Sequence, residues 1–196
     1  AYSTLPLPEG TAFWIFDTGI KHDLVDSHYG TRNRECMDAL AALQTLDPKL
    51  LHLAHCPGDL LEKAELPENQ MKRARHVIGE QARVRMFEEG LRESNSPEEL
   101  GSLLRQSHGS SSELFENSVP ELDHLVDLLN EDDEVLGARL TGGGFGGAAL
   151  AWTSQGFSEE KARSIASAYE RKWQVLPKFH TFSASQGACL LYTSPS

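Results

Sequence analysis

The stretch Gly137-Ala138-Arg139-Leu140-Thr141-Gly142-Gly143-Gly144-Phe145-Gly146-Gly147 decides how this sequence is read. Upstream, Val135 to Thr141 is a short apolar run with the length of a strand. Downstream, Ala148 to Thr153 is a second such run. Between them stand five glycines in six positions, broken only by Phe145. Glycine reaches positive φ at no steric cost, and it removes the Cβ that would keep a ligand or another backbone away. Successive amides in such a turn can converge on an anion. A tight hairpin turn or a close packing contact accounts for the glycines equally well on their number alone. No Gly-Lys-Ser/Thr follows, so this is not a Walker A loop. A strand-like segment follows where a dinucleotide fingerprint needs a helix, so the Gly-x-Gly-x-x-Gly match at 142–147 is not one either.

Working outward, the hydrophobic period is helical on both sides. Ser158 to Trp173 places Ala162, Ile165, Ala166, Tyr169 and Trp173 on one stripe. Ser118-Val119-Pro120-Glu121 and Ser96-Pro97-Glu98-Glu99 both have the form of a capping box. The helix after the first buries Leu122, Leu125, Val126 and Leu129; the helix after the second carries Leu100, Leu103 and Leu104. Glu68 to Arg92 is the longest helical pattern, with Ala74, Val77, Val84, Phe87 and Leu91 on one face and Arg and Glu residues on the other. Thr31 to Thr45 is a helix with Cys36, Leu40 and Leu43 inward, and Pro57-Gly58 precedes a short one. Ala12 to Phe16 is an apolar strand ended by Asp17-Thr18-Gly19, and Phe179 to Ala184 and Ala188 to Tyr192 are two weaker strands. The order predicts an α+β fold: a mainly antiparallel sheet with helices on one side.

The chain has 196 residues, 39% hydrophobic and 24% charged, with a formal net charge of −11. That charge repels phosphate backbones and argues against a nucleic-acid partner. A small phosphorylated ligand stays compatible, because backbone amides bind phosphate without net positive charge. No apolar run approaches the roughly 20 residues of a membrane span. Ala1 to Thr11 has neither the basic region nor the apolar stretch of a signal peptide. Cys36, Cys56 and Cys189 form no Cys-x-x-Cys pair, as expected of incidental thiols in a reduced, cytoplasmic protein. His76 and Glu80, four apart on the long helix, are too few for a metal site without a partner elsewhere.

The glycine tract with Ala138-Arg139 before it and Phe145 inside it resembles the third signature motif of the galacto-, homoserine, mevalonate and phosphomevalonate kinase superfamily, and its galactokinase branch in particular. Other segments resemble that branch in the same order. They are Asp17-Thr18-Gly19-Ile20-Lys21-His22-Asp23-Leu24, Tyr29-Gly30-Thr31-Arg32-Asn33-Arg34-Glu35-Cys36, and Arg73-Ala74-Arg75-His76-Val77-Ile78-Gly79-Glu80. Ser107-His108-Gly109-Ser110, Pro120-Glu121-Leu122-Asp123 and Gly187-Ala188 follow. The resemblance spans about positions 1 to 190.

It implies a ferredoxin-like carboxy-terminal domain at 25–190, preceded at 1–24 by a remnant of an amino-terminal domain and followed at 191–196 by a tail of unclear origin. It implies that Tyr29 contacts a sugar, that Lys21 lies near the active site, and that Gly142, Gly143, Gly144, Phe145, Gly146 and Gly147 support the nucleotide phosphate loop. His108 is expected to pack or cap. The implied ligands are galactose and ATP with Mg²⁺. No catalytic residue and no metal ligand fall within this chain. The family's Pro-x-x-x-Gly-Leu-Ser-Ser-Ser loop and Met-Asp-Gln segment are not in it, Asp17 is not the family's catalytic Asp, and the start at Ala1 fits a fragment inactive by itself. Alternatives are a kinase for N-acetylgalactosamine or arabinose, or a non-catalytic sugar and nucleotide sensor. Without an amino-terminal half, an uncovered apolar patch is expected near Ala12 to Phe16.

Overall fold

The computed structural model describes residues 5–21 and 25–182, apart from the side chains of 21 and 25–28. His22-Asp23-Leu24, the second closing strand with Gly187, Ala188 and Cys189, and the tail at 191–196 lie outside the described residues.

Four strands form one antiparallel sheet: β1 (Thr11–Lys21), β2 (Val135–Thr141), β3 (Gly146–Ser154) and β4 (Lys178–Phe182), in the order β2-β3-β1-β4. The segment expected to be a remnant of another domain thus supplies the strand between β3 and β4. Among the described residues six α-helices fill the connections: α1 (Val25–Leu46), α2 (Gly58–Lys63), α3 (Glu68–Glu93), α4 (Pro97–Ser110), α5 (Pro120–Asn130) and α6 (Glu159–Trp173). A single π-helical turn, Ser111–Phe115, extends α4.

Asp17-Thr18-Gly19 does not end β1 as expected; it distorts it. The Asp17 carboxylate accepts from the Gly19 N–H (2.9 Å), and the Thr18 hydroxyl accepts from the Ile20 N–H (3.2 Å). The ladder to β3 shifts register between Asp17 and Lys21 and then resumes. Turn-forming side chains here make a bulge, because the pairing on either side outlasts them.

The antiparallel sheet with helices is as expected, but the helices lie on both faces. Trp14, Phe16, Ala138, Leu140, Ala149 and Ala151 point one way, onto α5 and α6. Leu122, Leu125, Val126, Leu129 and Tyr169 close that side completely. Phe13, Leu136 and Trp152 point the other way, toward Phe87 and Leu91 of α3 and Leu100, Leu103 and Leu104 of α4. Gly101 of α4 lies against Gly137 of β2 so closely that a Cβ on either would strike the other segment's backbone. The Arg105 guanidinium also donates to the Leu136 carbonyl. A helix with no side chain at its contact point can lie directly on a strand with none at its own, which covers the second face.

The expected bare patch at residues 12–16 is therefore not there for its two largest members: Phe16 is fully buried and Trp14 nearly so. The long apolar stripe of α3 is divided between clusters. Ala74 and Val77 pack with Ala39 and Leu43 of α1, Phe87 and Leu91 pack toward the sheet, and Val84 between them is exposed. The polar stripe is not wholly solvated either, since Arg73 is fully buried. Ser96 caps α4 as expected, its hydroxyl accepting from the Glu99 N–H (3.2 Å). Ser118 does not cap α5. Val119 takes the capping position and Pro120 sets the first turn, so the backbone needs one orphan donor fewer satisfied there.

Candidate functional site

The glycine hairpin joins β2 to β3, and two anchors hold it. On one side the Phe145 N–H donates to the Asn117 carbonyl (2.7 Å), and the Asn117 side-chain amide donates to the Gly143 carbonyl (3.2 Å). A Cβ on Gly144 would collide with that same Asn117 carbonyl, and φ there is +81°. On the other side the Thr18 hydroxyl donates to the Gly147 carbonyl (2.8 Å). Residues 144–147 all have positive φ, the buried Phe145 among them at 56°. A non-glycine residue in that region costs of order 1–3 kcal/mol and persists only where its surroundings over-determine it. Gly142, Gly143 and Gly147 meet nothing on the side where a Cβ would stand. The hairpin is thus fixed at its base and open along one flank, where Gly142, Gly143 and Gly147 are exposed.

The start of α1 lies at the same end of the molecule. Lys21, the last residue of β1, pairs through its backbone with Gly146, and α1 begins four residues later. Tyr29, in the early turns of α1, is exposed. One turn on, Arg32 donates to the Glu116 carbonyl (3.2 Å), directly before the Asn117 that clamps the hairpin. The exposed Tyr29 and the open glycine flank are therefore linked by a short series of contacts.

Behind that link is a buried ion network. Arg73 donates through Nε to Glu35 (2.6 Å), through Nη2 to Glu116 (2.7 Å), and through Nη1 to the Leu114 carbonyl. Lys72 reaches the other Glu116 oxygen (3.0 Å). Hydrogen bonds from Arg73 and Lys72 hold the Glu116 carboxyl below its usual range. The same pairing with Glu116 raises the Lys72 ammonium. Burial pushes up the Cys36 thiol despite the nearby Arg73, which disfavours the thiolate that a nucleophile needs.

Other polar residues are engaged in packing roles. His108 is a bridge, as the packing expectation had it: Nδ1 accepts from the Leu140 N–H (3.2 Å) and Nε2 faces Asp123 (3.2 Å). Burial raises the Asp123 carboxyl, but the contact with His108 and the hydrogen bond from the Ser112 hydroxyl (3.1 Å) help bring it below its ordinary value. His76 turns to Ser110 (Nδ1 to Oγ, 2.9 Å) and stacks on Phe115, while Glu80 takes Arg83, Ser107 and Arg139. The pair shares no ligand position. Among the described residues no three His, Cys, Asp or Glu side chains converge as a metal site would require.

A cavity of about 440 Å³ lies elsewhere, between α3, α4 and the Phe13 face. It is lined by Phe13, Val84, Phe87 and Leu104, with Glu80 and Arg139 at a polar edge, and no hairpin residue touches it. Size does not make it the site: the open flank, the strained backbone and Tyr29 are grouped at the hairpin.

Sequence reasoning did not find Asn117 or the role of Arg73. Asn117 carries no periodic signal, and only its distance in space from Gly143 reveals it. The family-like run at Arg73 to Glu80 was visible, but not that its first arginine is the buried centre of a network.

Residues 87–175 match the family described as "GHMP kinases C terminal". The chain is 36% identical over 196 residues to a galactokinase of Actinobacillus pleuropneumoniae, covering 95% of this chain and 48% of that protein. It is 34% identical to a galactokinase of Thermotoga neapolitana, covering 95% of this chain and 51% of that one. The chain spans about half the length of these relatives, their carboxy-terminal half. Among solved structures, Lactococcus lactis galactokinase complexed with galactose superposes with a TM-score of 0.82 at 27% identity, over 88% of this chain and 45% of that one. L. major mevalonate kinase in complex with R-mevalonate shares the fold, with a TM-score of 0.54 at 18% identity over 90% of this chain and 44% of that one.

Proposed function

The chain carries a GHMP kinase carboxy-terminal domain, similar to the corresponding half of galactokinases, and from that premise we propose that it works as the carboxy-terminal part of an ATP-dependent galactokinase. The reaction is transfer of the ATP γ-phosphate to the anomeric hydroxyl of galactose, and the setting this reading implies is the cytoplasm. The observation that carries the reading is the hairpin: a glycine flank open to solvent, held at a fixed position beside the helix start that presents Tyr29.

In this reading the amides at Gly142 and Gly143 line the nucleotide's phosphates, where aligned N–H dipoles stabilise negative charge. Tyr29 offers the sugar a ring face and a hydroxyl that can donate and accept. Lys21, the last residue of β1, pairs in register with Gly146 of the same loop. Residues 25–190 are read as the carboxy-terminal kinase domain and residues 1–24 as the remnant of an amino-terminal domain, although β1 within them pairs with β3 and β4 of the sheet. Mg²⁺ would neutralise charge on the phosphates during transfer. The described residues do not fit it, since no three acidic, histidine or cysteine side chains among them converge as a site for it. This reading takes the phosphate loop and the base that receives the hydroxyl proton from residues other than those of this chain, and it expects no turnover from the chain alone.

The test joins this chain in frame to the amino-terminal half of the Actinobacillus relative and measures ADP release. Release that requires galactose, together with none from the chain alone, is the expected result. Equal release with N-acetylgalactosamine or arabinose would overturn the sugar assignment. Turnover by the chain alone would overturn its role as a partial enzyme.

A further inference from the structure

Arg73 is a fully buried cation, and its position is not explained by stability. Desolvating an arginine and its partners generally offsets most of what their attraction returns, so such networks are better understood as fixing one geometry over its neighbours. The geometry fixed here is specific. Arg73 holds Glu35, one turn beyond Arg32 on α1, and Glu116. Glu116 ends the π-helical turn in a left-handed conformation (φ 54°), and the turn is closed by the Asn117 N–H donating to the Ser111 carbonyl (3.2 Å). Asn117 then grips Phe145 by its carbonyl and Gly143 by its side chain. Arg32 closes the loop from the other direction, donating to the Glu116 carbonyl and pairing with Glu35 (3.4 Å).

We infer that Arg73 and Asn117 are positioning residues: acting through Glu116, they lock the Tyr29-bearing start of α1 and the glycine hairpin into one unit, so that loosening either end displaces the other. The two elements are far apart in sequence, and this network is a continuous side-chain route between them. π-Helical turns occur frequently at functional positions, and here one ends in the left-handed Glu116, which brings Asn117 to the back of the hairpin. The assignment of the two ends to sugar and nucleotide rests on the proposed function; the mechanical link does not.

Spatial intermediacy alone does not establish coupling, so the test is a double-mutant cycle. Hydrogen exchange is followed at the amides of residues 142–147 in this chain. Arg73→Met and Asn117→Ala should each accelerate exchange there by about tenfold, the factor expected for losing one charge-assisted or buried hydrogen bond. The Ala149 and Ala151 amides, inside β3, should stay within about twofold, since only local opening is affected. The double variant should exchange no faster than the faster single one. Additive effects, or unchanged hairpin exchange, would overturn the link. Where Arg73→Met does not fold, Glu116→Gln serves, because it weakens the same node at a partly exposed carboxylate. In the joined enzyme the same variants should raise the KM for ATP and for galactose together while kcat moves less. Altered hairpin exchange with neither KM changed would leave the lock standing and remove the kinase reading of its two ends.

Discussion

The two faces of the sheet are built by different means. On the Trp14 face, α5 and α6 press an uninterrupted apolar layer against β1, β2 and β3; Leu122, Leu125, Val126 and Leu129 have no exposed surface at all. On the Phe13 face, α3 and α4 touch the sheet through a backbone contact at Gly101 and Gly137, leave a cavity of about 440 Å³, and carry arginine and glutamate pairs around it. One face resists change and the other can accommodate it. The hairpin grows out of β2 and β3, strands shared by both faces, so its root is rigid while one of its two anchors, Asn117, follows α4 and is backed through Glu116 by Arg73 of α3. A loop that must meet a ligand is thereby fixed by the closed layer and set in position by the polar one.

The largest expected effect tests that asymmetry. Leu125→Ala should cost about 3 kcal/mol in denaturant unfolding, the middle of the range for a leucine deleted from a closed core. Val84→Ala, on the exposed stretch of α3 beside the cavity, should change stability by less than about 0.5 kcal/mol. Similar losses at both sites would show that the two faces are equally packed.

A smaller effect sharpens the comparison at the helix starts, where each face has a serine before a proline-led helix. Ser96→Ala should cost about 1 kcal/mol, because the Ser96 hydroxyl satisfies the Glu99 N–H at the start of α4. Ser118→Ala should cost less through α5 itself, since Val119 holds the capping position there. Thermal melts of the two variants decide it, and the reverse order would contradict the capping geometry.

The smallest effect is in pH. Burial lowers the His76 pKa on the α3 side and the His124 pKa on the α5 side. A histidine whose folded value is depressed gives stability that is present above its unfolded value of about 6.5 and is lost as pH falls below it. The melting temperature should therefore fall between pH 7 and pH 5. His76→Gln should flatten part of that slope and His124→Gln another part. The neutral state of His124 is also fixed by Trp173, whose indole N–H donates to Nδ1 (3.1 Å). A melting temperature that rises on acidification across this window would contradict the assignment.

Much of the closed face was legible in the sequence. The leucine spacing of α5, the stripe of α6 and the strand pair around the glycines are periodic signals a few residues long, and they folded as read. The open face was read only in part. The stripe on α3 suggested one apolar side, but Val84 breaks it and Arg73 is buried on what looked like the polar side. Of the candidate site, the hairpin and Tyr29 were visible by motif, while Asn117 and the Arg73 network were not. Their contacts join residues 26 to 43 positions apart and leave no local pattern.

By itself, then, the sequence determined most of the helices and the strand pair around the glycines, because each depends on neighbours within one or two turns of backbone. Only the tertiary structure decided that β1 runs between β3 and β4, that helices cover both faces, and that Asn117 clamps the hairpin. Those outcomes depend on which distant surfaces meet, and that is set by the packing of whole elements, at places such as Gly101 against Gly137 where the absence of a side chain lets two backbones touch.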